Sequence, residues 1–563
     1  PAPRGPPIIP VMPTAPFSAS RSAAGSHSTW LDLLLAAGIL LAALLLVRGI
    51  AAPWNGYGDS DGALFGSMAR NYLQFGILEL KFGQLVTYEA ITEPIGVYYL
   101  HHPPLVPLLS AASIALFGDS ELSVRLVSVS ATLLTAVLLY GLARRSLERR
   151  GGLLCALLFL AYPSTIIFGR KPGYEALTLC LIVLGLWLYV RYREDRSGTR
   201  LAALLGAVAL GGLSDWAAYL LPAALLVLEI ANRHGRTVDR ALIAGLLLVP
   251  SAVLCAFLYS IWRVDPASVL DLAHQGLAYT GLFAADGAVV ANIKEARIDF
   301  TAGEYLFRIV GNLDRGFGLM ALLLAALGLV ALRERPAIRA HVFVLGFAAL
   351  LTLLVFWRSL YFHLWWLQLL AAPLALLGAA AVHALQANLG TPSATRRRGT
   401  ELAVLFAVLV PVAVGMVYNV RALGSEQIRV LPEHLRENPD FIPELGRRLG
   451  ALTAPGERVL TNLAAVPSSI ANPYARILPY YARRGIEAGI QHPDEAADRF
   501  AAGAGTHFLL GPLDDPGTAT DALAAWLRTR SEARSFDVQG HRFALYRIPG
   551  TSGTAAGDKE TYR

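Results

Sequence analysis

Two aspartates, Asp59 and Asp61, follow the first long apolar run of the chain, in the stretch WNGYGDSDGALFGSMARN. A carboxylate at this position could act as a general base or bind a cationic group, and a D-x-D pair could hold a divalent metal through its oxygens. The following stretch, GALFGSMARNYLQFG, has helical apolar spacing, so Asp59 could instead be an N-cap and Asp61 a first-turn acid. These residues alone leave both the catalytic and the capping interpretation open.

Histidines and basic residues occur in two further short segments. His101 and His102 precede two prolines in YYLHHPPL, where one of them could bind a phosphate or both could simply flank the start of a helix. The turn FGRKPGYE carries Arg170, Lys171 and Glu175. Its cations could bind an anion or extend toward water, and an ionisable group at the start of an apolar helix is a candidate for a functional site.

Polar residues at the ends of other apolar runs complete the set of candidates. Asp215 lies between two apolar runs in GLSDW, and Arg358 and His363 fall in the aromatic segment WRSLYFHLWW. We interpret the tryptophans of that segment, Trp365 and Trp366, as anchors at the membrane interface. The outer loops contain further candidate substrate contacts, which are Glu89, Glu93, Lys294 and Glu304.

The composition indicates a membrane protein. Of the 563 residues, 55% are hydrophobic and only 16% are charged, whereas soluble domains carry about 25% charged residues. The net charge of +7 comes from arginine clusters between apolar runs, so we expect membrane lipids and no nucleic acid as partners. The three cysteines, Cys155, Cys180 and Cys255, lie in apolar runs without metal-ligand spacing and are predicted to be core residues.

The apolar runs predict eleven transmembrane helices of about 20 residues each. The arginine clusters ARRSLERR, RYREDRSGTR, NRHGRTVDR, RERPAIR and TRRRG fall at alternate ends of these runs, which places them in the cytoplasm with the N terminus. The run HHPPLVPLLSAASIALFG would invert this alternation, so we predict that it forms a helix in the outer interface. The predicted spans lie near 31–51, 122–143, 152–169, 174–191, 201–214, 216–231, 241–262, 317–332, 341–357, 361–386 and 401–421.

This topology puts the candidate residues on one side of the membrane. The loops from about 52 to 121 and from about 263 to 316 face outward, as do the short turns with Arg170, Asp215 and Arg358. The candidates are thus separated from cytoplasmic nucleotides, which excludes the metal-dependent D-x-D chemistry of nucleotide-sugar enzymes.

The chain divides into four predicted regions. The predicted fold class is a polytopic α-helical membrane protein with interfacial helices in the first outer loop and a small C-terminal α/β soluble domain. In that domain, GERVLTNL and GTHFLLGPL predict strands, DALAAWLRTR predicts a helix and RSFDVQGHRFALYRI predicts a hairpin. The regions are a disordered, Pro-rich cytoplasmic tail (1–29), a transmembrane domain (30–421), the outer α/β domain (425–548) and a flexible tail (549–563).

The order of these motifs resembles the membrane-embedded C-type glycosyltransferases that use polyprenyl-phosphate sugars, such as bacterial relatives of protein O-mannosyltransferases and of the lipid A aminoarabinose transferase. The resemblance covers roughly 31–421 and is most specific over 57–177, where ARN-x-x-x-x-G, HPPL and LFG-x-S-E-x-x-x-R-L occur in family order. It matches the family acid to Asp59 or Asp61, and a basic residue, often lysine in relatives, to His102. Asp215 stands where relatives often have another lysine.

The resemblance implies transfer of a hexosyl or pentosyl group, with inversion, from a polyprenyl-phosphate donor to a lipid, glycan or protein acceptor. It implies a site on the periplasmic or extracellular face of the bacterial inner membrane. No cofactor is required, and a divalent cation is allowed but not implied because phosphate is already a good leaving group. The implied roles are catalysis by Asp59 or Asp61, donor-phosphate binding by His102, Arg170, Lys171, Arg358 and His363, and substrate binding by His101, Glu175, Asp215, Glu89, Glu93 and Lys294.

Two other classes of protein remain as alternatives. A transporter or flippase of a lipid-linked substrate would also need many spans, but such proteins place their polar residues near the bilayer midplane and show repeat symmetry. Here the polar candidates cluster at one predicted edge, and the sequence contains no repeat of fixed period. A membrane-anchored scaffold is the third class, in which the C-terminal domain would carry the function.

Overall fold

The structure is a computed structural model of the chain, and it describes eleven stretches of residues. Within them the chain folds into two compact units. Unit 1 comprises 1–50, 100–106 and 125–425, and unit 2 comprises 51–99, 107–124 and 426–563. The two predicted tails fall almost wholly outside the described residues. The described stretches are 29–54, 59–86, 98–231, 239–280, 300–362, 364–388, 403–415, 417–418, 441–463, 473–513 and 521–549.

The first 415 residues are predominantly helical where they are described, because long apolar runs without Gly or Pro clusters satisfy their backbone hydrogen bonds internally. A two-stranded antiparallel ladder joins β1 (Gln84–Leu85) to β2 (Tyr98–Tyr99). Short 3₁₀ turns occur at Trp216–Tyr219, Leu332–Glu334 and Leu364–Leu367. The helices are α1 (Thr29–Val47), α2 (Asp59–Phe75), α3 (Leu105–Phe117), α4 (Glu121–Ala161), α5 (Pro163–Phe168), α6 (Tyr174–Glu194), α7 (Gly198–Gly212), α8 (Leu220–Ala231), α9 (Arg240–Val264), α10 (Ala267–Thr280), α11 (Ala302–Phe317), α12 (Leu319–Ala331), α13 (Pro336–Val355), α14 (Trp357–Phe362), α15 (Gln368–Asn388) and α16 (Ala403–Gly415).

Six helical segments of the described chain are long and apolar enough to cross a membrane, and a seventh is added if the bent pair α11 and α12, at 94° to each other, counts as one span. The long helix α4 contains the predicted span 122–143 and runs into the predicted span 152–169. Between the two, within ARRSLERR, the backbone at Glu148 (φ 59°, ψ −172°) interrupts the helix. Other predicted spans correspond to the shorter apolar helices α7, α8 and α16. The structure is therefore that of a multi-pass membrane protein, and the number of eleven spans stays a prediction.

Helix α3 occupies the run that the sequence analysis assigns to the outer interface. It has 13 residues, whereas a bilayer needs about 20 residues of helix. Its length alone therefore prevents it from spanning as a straight helix.

Unit 2 contains a five-stranded mixed sheet with strand order β4-β3-β5-β7-β6. Strands β3, β4 and β5 are parallel, and β7 is antiparallel to both β5 and β6. The hairpin between β6 and β7 turns at Gln539 and Gly540, both with positive φ, as the tight hairpin turn requires. The elements in chain order are α17 (Ile442–Leu452), β3 (Arg458–Thr461), α18 (Pro473–Ala482), β4 (Gly485–Ala488), α19 (Pro493–Ala501), β5 (His507–Leu510), α20 (Asp521–Arg528), β6 (Ala533–Val538) and β7 (His541–Arg547).

Burial of one face of the sheet builds the core of this part of unit 2. Phe508 and Leu510 of β5 and Leu460 of β3 pack with Leu523 and Leu527 of α20. Strands β3 and β5 and helix α20 lie within the sequence stretches predicted to form them, and the β6–β7 hairpin begins at Ala533, one residue before its predicted stretch. The local period of apolar residues is thus sufficient to locate these elements.

Helix α2 packs against α18 within unit 2 through a glycine. A Cβ atom at Gly66 would lie 2.5 Å from Cε2 of Tyr480, and one at Gly62 would lie 2.3 Å from the ring of Trp54. Trp54 is completely buried, so its ring has little room to move away. Glycine is therefore required wherever α2 meets these two rings.

We predict that Gly66→Ala lowers the free energy of unfolding of unit 2 by about 1–3 kcal/mol, because the added methyl group overpacks the contact with Tyr480. Thermal unfolding of the purified chain in detergent, followed by intrinsic fluorescence, would show this as a lower melting temperature. Gly311→Ala is the matched control, since a Cβ on this helical glycine meets nothing within 4 Å. Equal melting temperatures for Gly66→Ala and Gly311→Ala would contradict the packing described here.

Candidate functional site

The described candidate residues fall into one group in unit 1 and one in unit 2. His101, His102 and Asp215 belong to the first group, and Asp59 and Asp61 belong to the second. Arg170, Lys171, Glu175 and Arg358 also belong to unit 1. Four candidates, Glu89, Glu93, Lys294 and His363, lie outside the described residues.

The unit 1 group centres on a contact between His102 and Asp215. The Nδ1 atom of His102 lies 2.9 Å from Oδ1 of Asp215, whose residue is only 2% exposed. Because an ionised carboxylate can only accept, His102 donates the Nδ1 proton in this pair. The imidazole also stacks on the ring of Tyr174, with 4.3 Å between ring centroids and 13° between planes. The ring of His102 is thus fixed in its plane and its Nδ1 atom is occupied by Asp215.

Two hydrogen bonds to backbone carbonyls attach the HHPPL segment to the turn that carries Asp215. The indole N–H of Trp216 donates to the carbonyl of His101 (2.9 Å), and the N–H of Leu105 donates to the carbonyl of Leu213 (3.0 Å). Asp215 caps the 3₁₀ turn that follows, accepting from the backbone N–H of Trp216 at 2.7 Å. Its position between two apolar runs made Asp215 a candidate, but no local sequence pattern predicts that its partner is His102.

The basic turn before α6 makes structural contacts with both of its cations. Arg170 donates to the carbonyl of Arg48 (2.6 Å), just after α1, where the last helical carbonyls lack partners within the helix. Lys171 is 8% exposed, and its ammonium lies 4.0 Å from the centroid of the Trp365 ring, a cation–π contact. Glu175 lies in the first turn of α6, where a negative charge is favoured by the helix dipole.

Arg358 lies within an aromatic cluster. Its guanidinium is 5.6 Å from the centroid of Phe300 and 5.7 Å from that of Trp357. Phe300 in turn stacks on Tyr361 at 4.5 Å. Glu304, a candidate substrate contact, closes a capping box with Thr301 at the start of α11. The sequence analysis did not predict that Glu304 would have this local partner, although T-x-x-E is the capping-box pattern.

The unit 2 group lies at the start of α2. Asp59 and Asp61 both fall in the first turn of this helix. This position was predicted for Asp61, whereas Asp59 is the first helical residue and not the residue that precedes the helix. Asp61 also accepts a hydrogen bond at Oδ1 from Nη1 of Arg476, a residue of α18 that lies 415 positions later in the chain. The side chains of Arg476 and Asp61 are 11% and 27% exposed. The sequence analysis missed Arg476, since nothing in its local pattern links it to Asp61.

A second polar network lies near the other end of α18. The Tyr481 hydroxyl donates to Glu121 and accepts from the backbone N–H of Trp54 at 2.9 Å. Burial, with a further contribution from Glu121, raises the pKa of Tyr481 far above its ordinary value, so the hydroxyl stays protonated at physiological pH. A pocket of about 270 Å³ opens beside this network, lined by Arg70, Asp119, Ser120, Glu121, Arg447, Tyr480, Tyr481 and Arg483.

The described residues include no group of three or more His, Cys, Asp or Glu side chains that could together hold a metal ion. Among the described candidates, the groups that could act on a substrate are the two carboxylates in the first turn of α2, the oriented imidazole of His102 and several cationic side chains.

Comparison with known proteins identifies relatives of the chain. Residues 101–262 match the model of the dolichyl-phosphate-mannose-protein mannosyltransferase family. The matched residues include both His102 and Asp215. No curated protein has a significantly matching sequence.

Two solved structures share the fold across nearly the whole chain. The crystal structure of ArnT from Cupriavidus metallidurans, bound to undecaprenyl phosphate, has a TM-score of 0.60 at 14% identity and covers 95% of this chain and 100% of its own. The oligosaccharyltransferase AglB from Archaeoglobus fulgidus, in complex with an inhibitory peptide and a dolichol-phosphate, has a TM-score of 0.51 at 12% identity and covers 92% and 74%. At sequence identities of 14% and 12%, the similarity to these two structures establishes the fold alone. The resemblance to membrane-embedded, C-type glycosyltransferases is confirmed.

Proposed function

We propose that this chain is a membrane glycosyltransferase that moves a sugar from a polyprenyl-phosphate donor to an acceptor hydroxyl on the outer face of the bacterial inner membrane. The observation that carries the proposal is the oriented His102–Asp215 pair, which lies inside the segment that matches the mannosyltransferase family. The fold shared with a protein solved with undecaprenyl phosphate supports the choice of donor. The N terminus is assigned to the cytoplasm and the C-terminal domain to the periplasm.

The donor phosphate is bound by cations in this proposal. The imidazole of His102, which Asp215 orients through Nδ1, is the first proposed ligand of a phosphate oxygen. Lys171 is already partly desolvated against Trp365, which strengthens its attraction for an anion. Arg170, Arg358 and His363 are the other proposed phosphate ligands. Stabilising the charge on the departing phosphate is the largest contribution such cations make to catalysis.

A carboxylate of the first outer loop, Asp59 or Asp61, acts as the general base. It takes the proton of the acceptor hydroxyl while the hydroxyl oxygen forms a bond to the anomeric carbon. The bond between that carbon and the phosphate oxygen breaks, and polyprenyl phosphate leaves with the electron pair and with inversion at the sugar. The proposal invokes no cofactor, and the sugar and acceptor are further contacted by His101, Glu175, Glu89, Glu93 and Lys294.

The proposal is tested with a panel of radiolabelled polyprenyl-phosphate hexoses and pentoses, added to the full chain in proteoliposomes with membrane lipid extract as acceptor. We expect one donor to be consumed, with release of polyprenyl phosphate and transfer of label to the acceptor. Empty liposomes provide the control. If label crosses the bilayer on an intact donor without cleavage, the transporter interpretation replaces this one.

A further inference from the structure

The ion pair between Asp61 and Arg476 joins two helices of unit 2, α2 and α18, and the two residues lie 415 positions apart in the chain. Arg476 donates from Nη1 to Oδ1 of Asp61, and its own side chain is 11% exposed. Removing one partner of a desolvated pair leaves the other charge without compensation, which costs far more than loss of an exposed pair. The pair therefore fixes the direction of one carboxylate oxygen at the start of α2.

The rest of α2 is held against α18 by contacts that do not involve Arg476. Gly66 meets the ring of Tyr480, and Arg70 stacks over that ring at 3.6 Å while donating to the Tyr480 carbonyl at 2.6 Å. Asp61, Gly66 and Arg70 follow one another along α2, and their partners lie within the last two turns of α18. These contacts set the position of the helix itself. Loss of Arg476 should consequently remove one fixed contact of the Asp61 carboxylate without moving α2.

We propose that Arg476 is a positioning residue for Asp61, so that the C-terminal segment takes part in sugar transfer by orienting an acid of the first loop. This inference rests on the proposed function and deepens it. The guanidinium donates to Oδ1 of Asp61 and so holds the carboxylate in the direction from which it can accept a proton from the acceptor hydroxyl. A small displacement of that carboxylate would slow the chemical step more than it would weaken donor binding.

The test compares four variants of the full chain in proteoliposomes, Arg476→Gln, Arg476→Lys, Asp61→Asn and the Asp61→Asn/Arg476→Gln double variant. We expect Arg476→Gln to lower kcat by about tenfold or more, with the KM for donor changed by less than about twofold. Arg476→Lys should recover part of the rate because it restores a cation. The double variant should be no slower than Asp61→Asn alone, since residues that act as one unit are not additive.

Arg499→Gln provides the control, because Arg499 pairs with Glu487 at 3.2 Å within the sheet region of unit 2 and away from α2. It should transfer sugar at the wild-type rate. A wild-type rate for Arg476→Gln, or effects of the two single variants that multiply in the double variant, would overturn the inference. So would a loss of rate that matches a loss of folded protein and is not recovered by lysine. If wild type and Arg499→Gln consume no donor at all, the proposed function itself fails and the positioning role fails with it.

Discussion

Replacing the aspartate that we propose as general base with asparagine should lower the rate of sugar transfer by about 10²- to 10⁴-fold, the range typical of losing a general base. Asparagine keeps the size of the side chain and can still cap a helix, so the first turn of α2 should persist. Donor binding, which we assign to the cations of unit 1, should be unchanged. Asp59→Asn and Asp61→Asn are measured separately, in initial rate and in donor affinity, so that the base is identified by the variant that loses turnover.

The matched control for these variants is Asp537→Asn in β6, an exposed aspartate with the same change of charge. We expect it to transfer sugar at the wild-type rate. If Asp59→Asn and Asp61→Asn both match it, the two aspartates serve only as helix-capping acids, and the general base must be sought elsewhere. If one variant loses donor binding together with turnover, that aspartate contacts the donor and not the acceptor hydroxyl.

The sequence predicted those parts of the fold that depend on local pattern. Uninterrupted apolar runs located α1, α6, α9 and α13, because length and hydropathy decide whether a segment can span a bilayer. The strand β5 was likewise predicted from a short apolar run bounded by turn residues. By contrast, the interruption of α4 at Glu148 depends on a single backbone conformation, which residue composition does not reveal.

The sequence could not predict which distant segments meet. A boundary near 425 was predicted from a change in composition, yet 51–99 and 107–124 group with 426–563 in unit 2. The physical cause is the close packing of α2 on α18, which depends on the fit of Gly66 to the Tyr480 ring. A glycine in a helical pattern is equally compatible with many partners, so its pairing becomes visible only in three dimensions.

The candidate site was also predicted only in part, since its residues were identified but the contact between them was not. The residue types of His102 and Asp215 were sufficient to select both as candidates, but as a phosphate ligand and a separate substrate contact. Their separation of 113 residues hides the hydrogen bond between them. The structure joins the two residues by a hydrogen bond between the imidazole and the carboxylate, and Asp215 is buried in unit 1.

This pair leads to the second prediction with a large effect, a thermodynamic cycle on His102 and Asp215. His102→Gln should lower transfer by about 10²-fold, chiefly through weaker stabilisation of the phosphate charge. Asp215→Asn should lower it by about tenfold, because an amide can present its NH₂ group to Nδ1 and no longer fixes the ring or its tautomer. The double variant should be about as slow as His102→Gln, since Asp215 acts through the imidazole. Initial rates over a range of donor concentrations measure each corner of the cycle.

Two further variants separate electrostatics from packing in this cycle. His102→Lys places a cation against the buried carboxylate and should transfer faster than His102→Gln, whereas a purely packing role for the ring that stacks on Tyr174 would make lysine as harmful as glutamine. His492→Gln is the control, because His492 makes no side-chain cap at the start of α19 and lies in unit 2. Because Asp215 is buried, His102→Gln also removes one of the two described hydrogen-bond partners of its carboxylate, so melting temperatures must accompany the rates. Additive losses at His102 and Asp215 in fully folded variants would mean that the carboxylate contacts substrate directly, and the two residues would then be separate ligands after all.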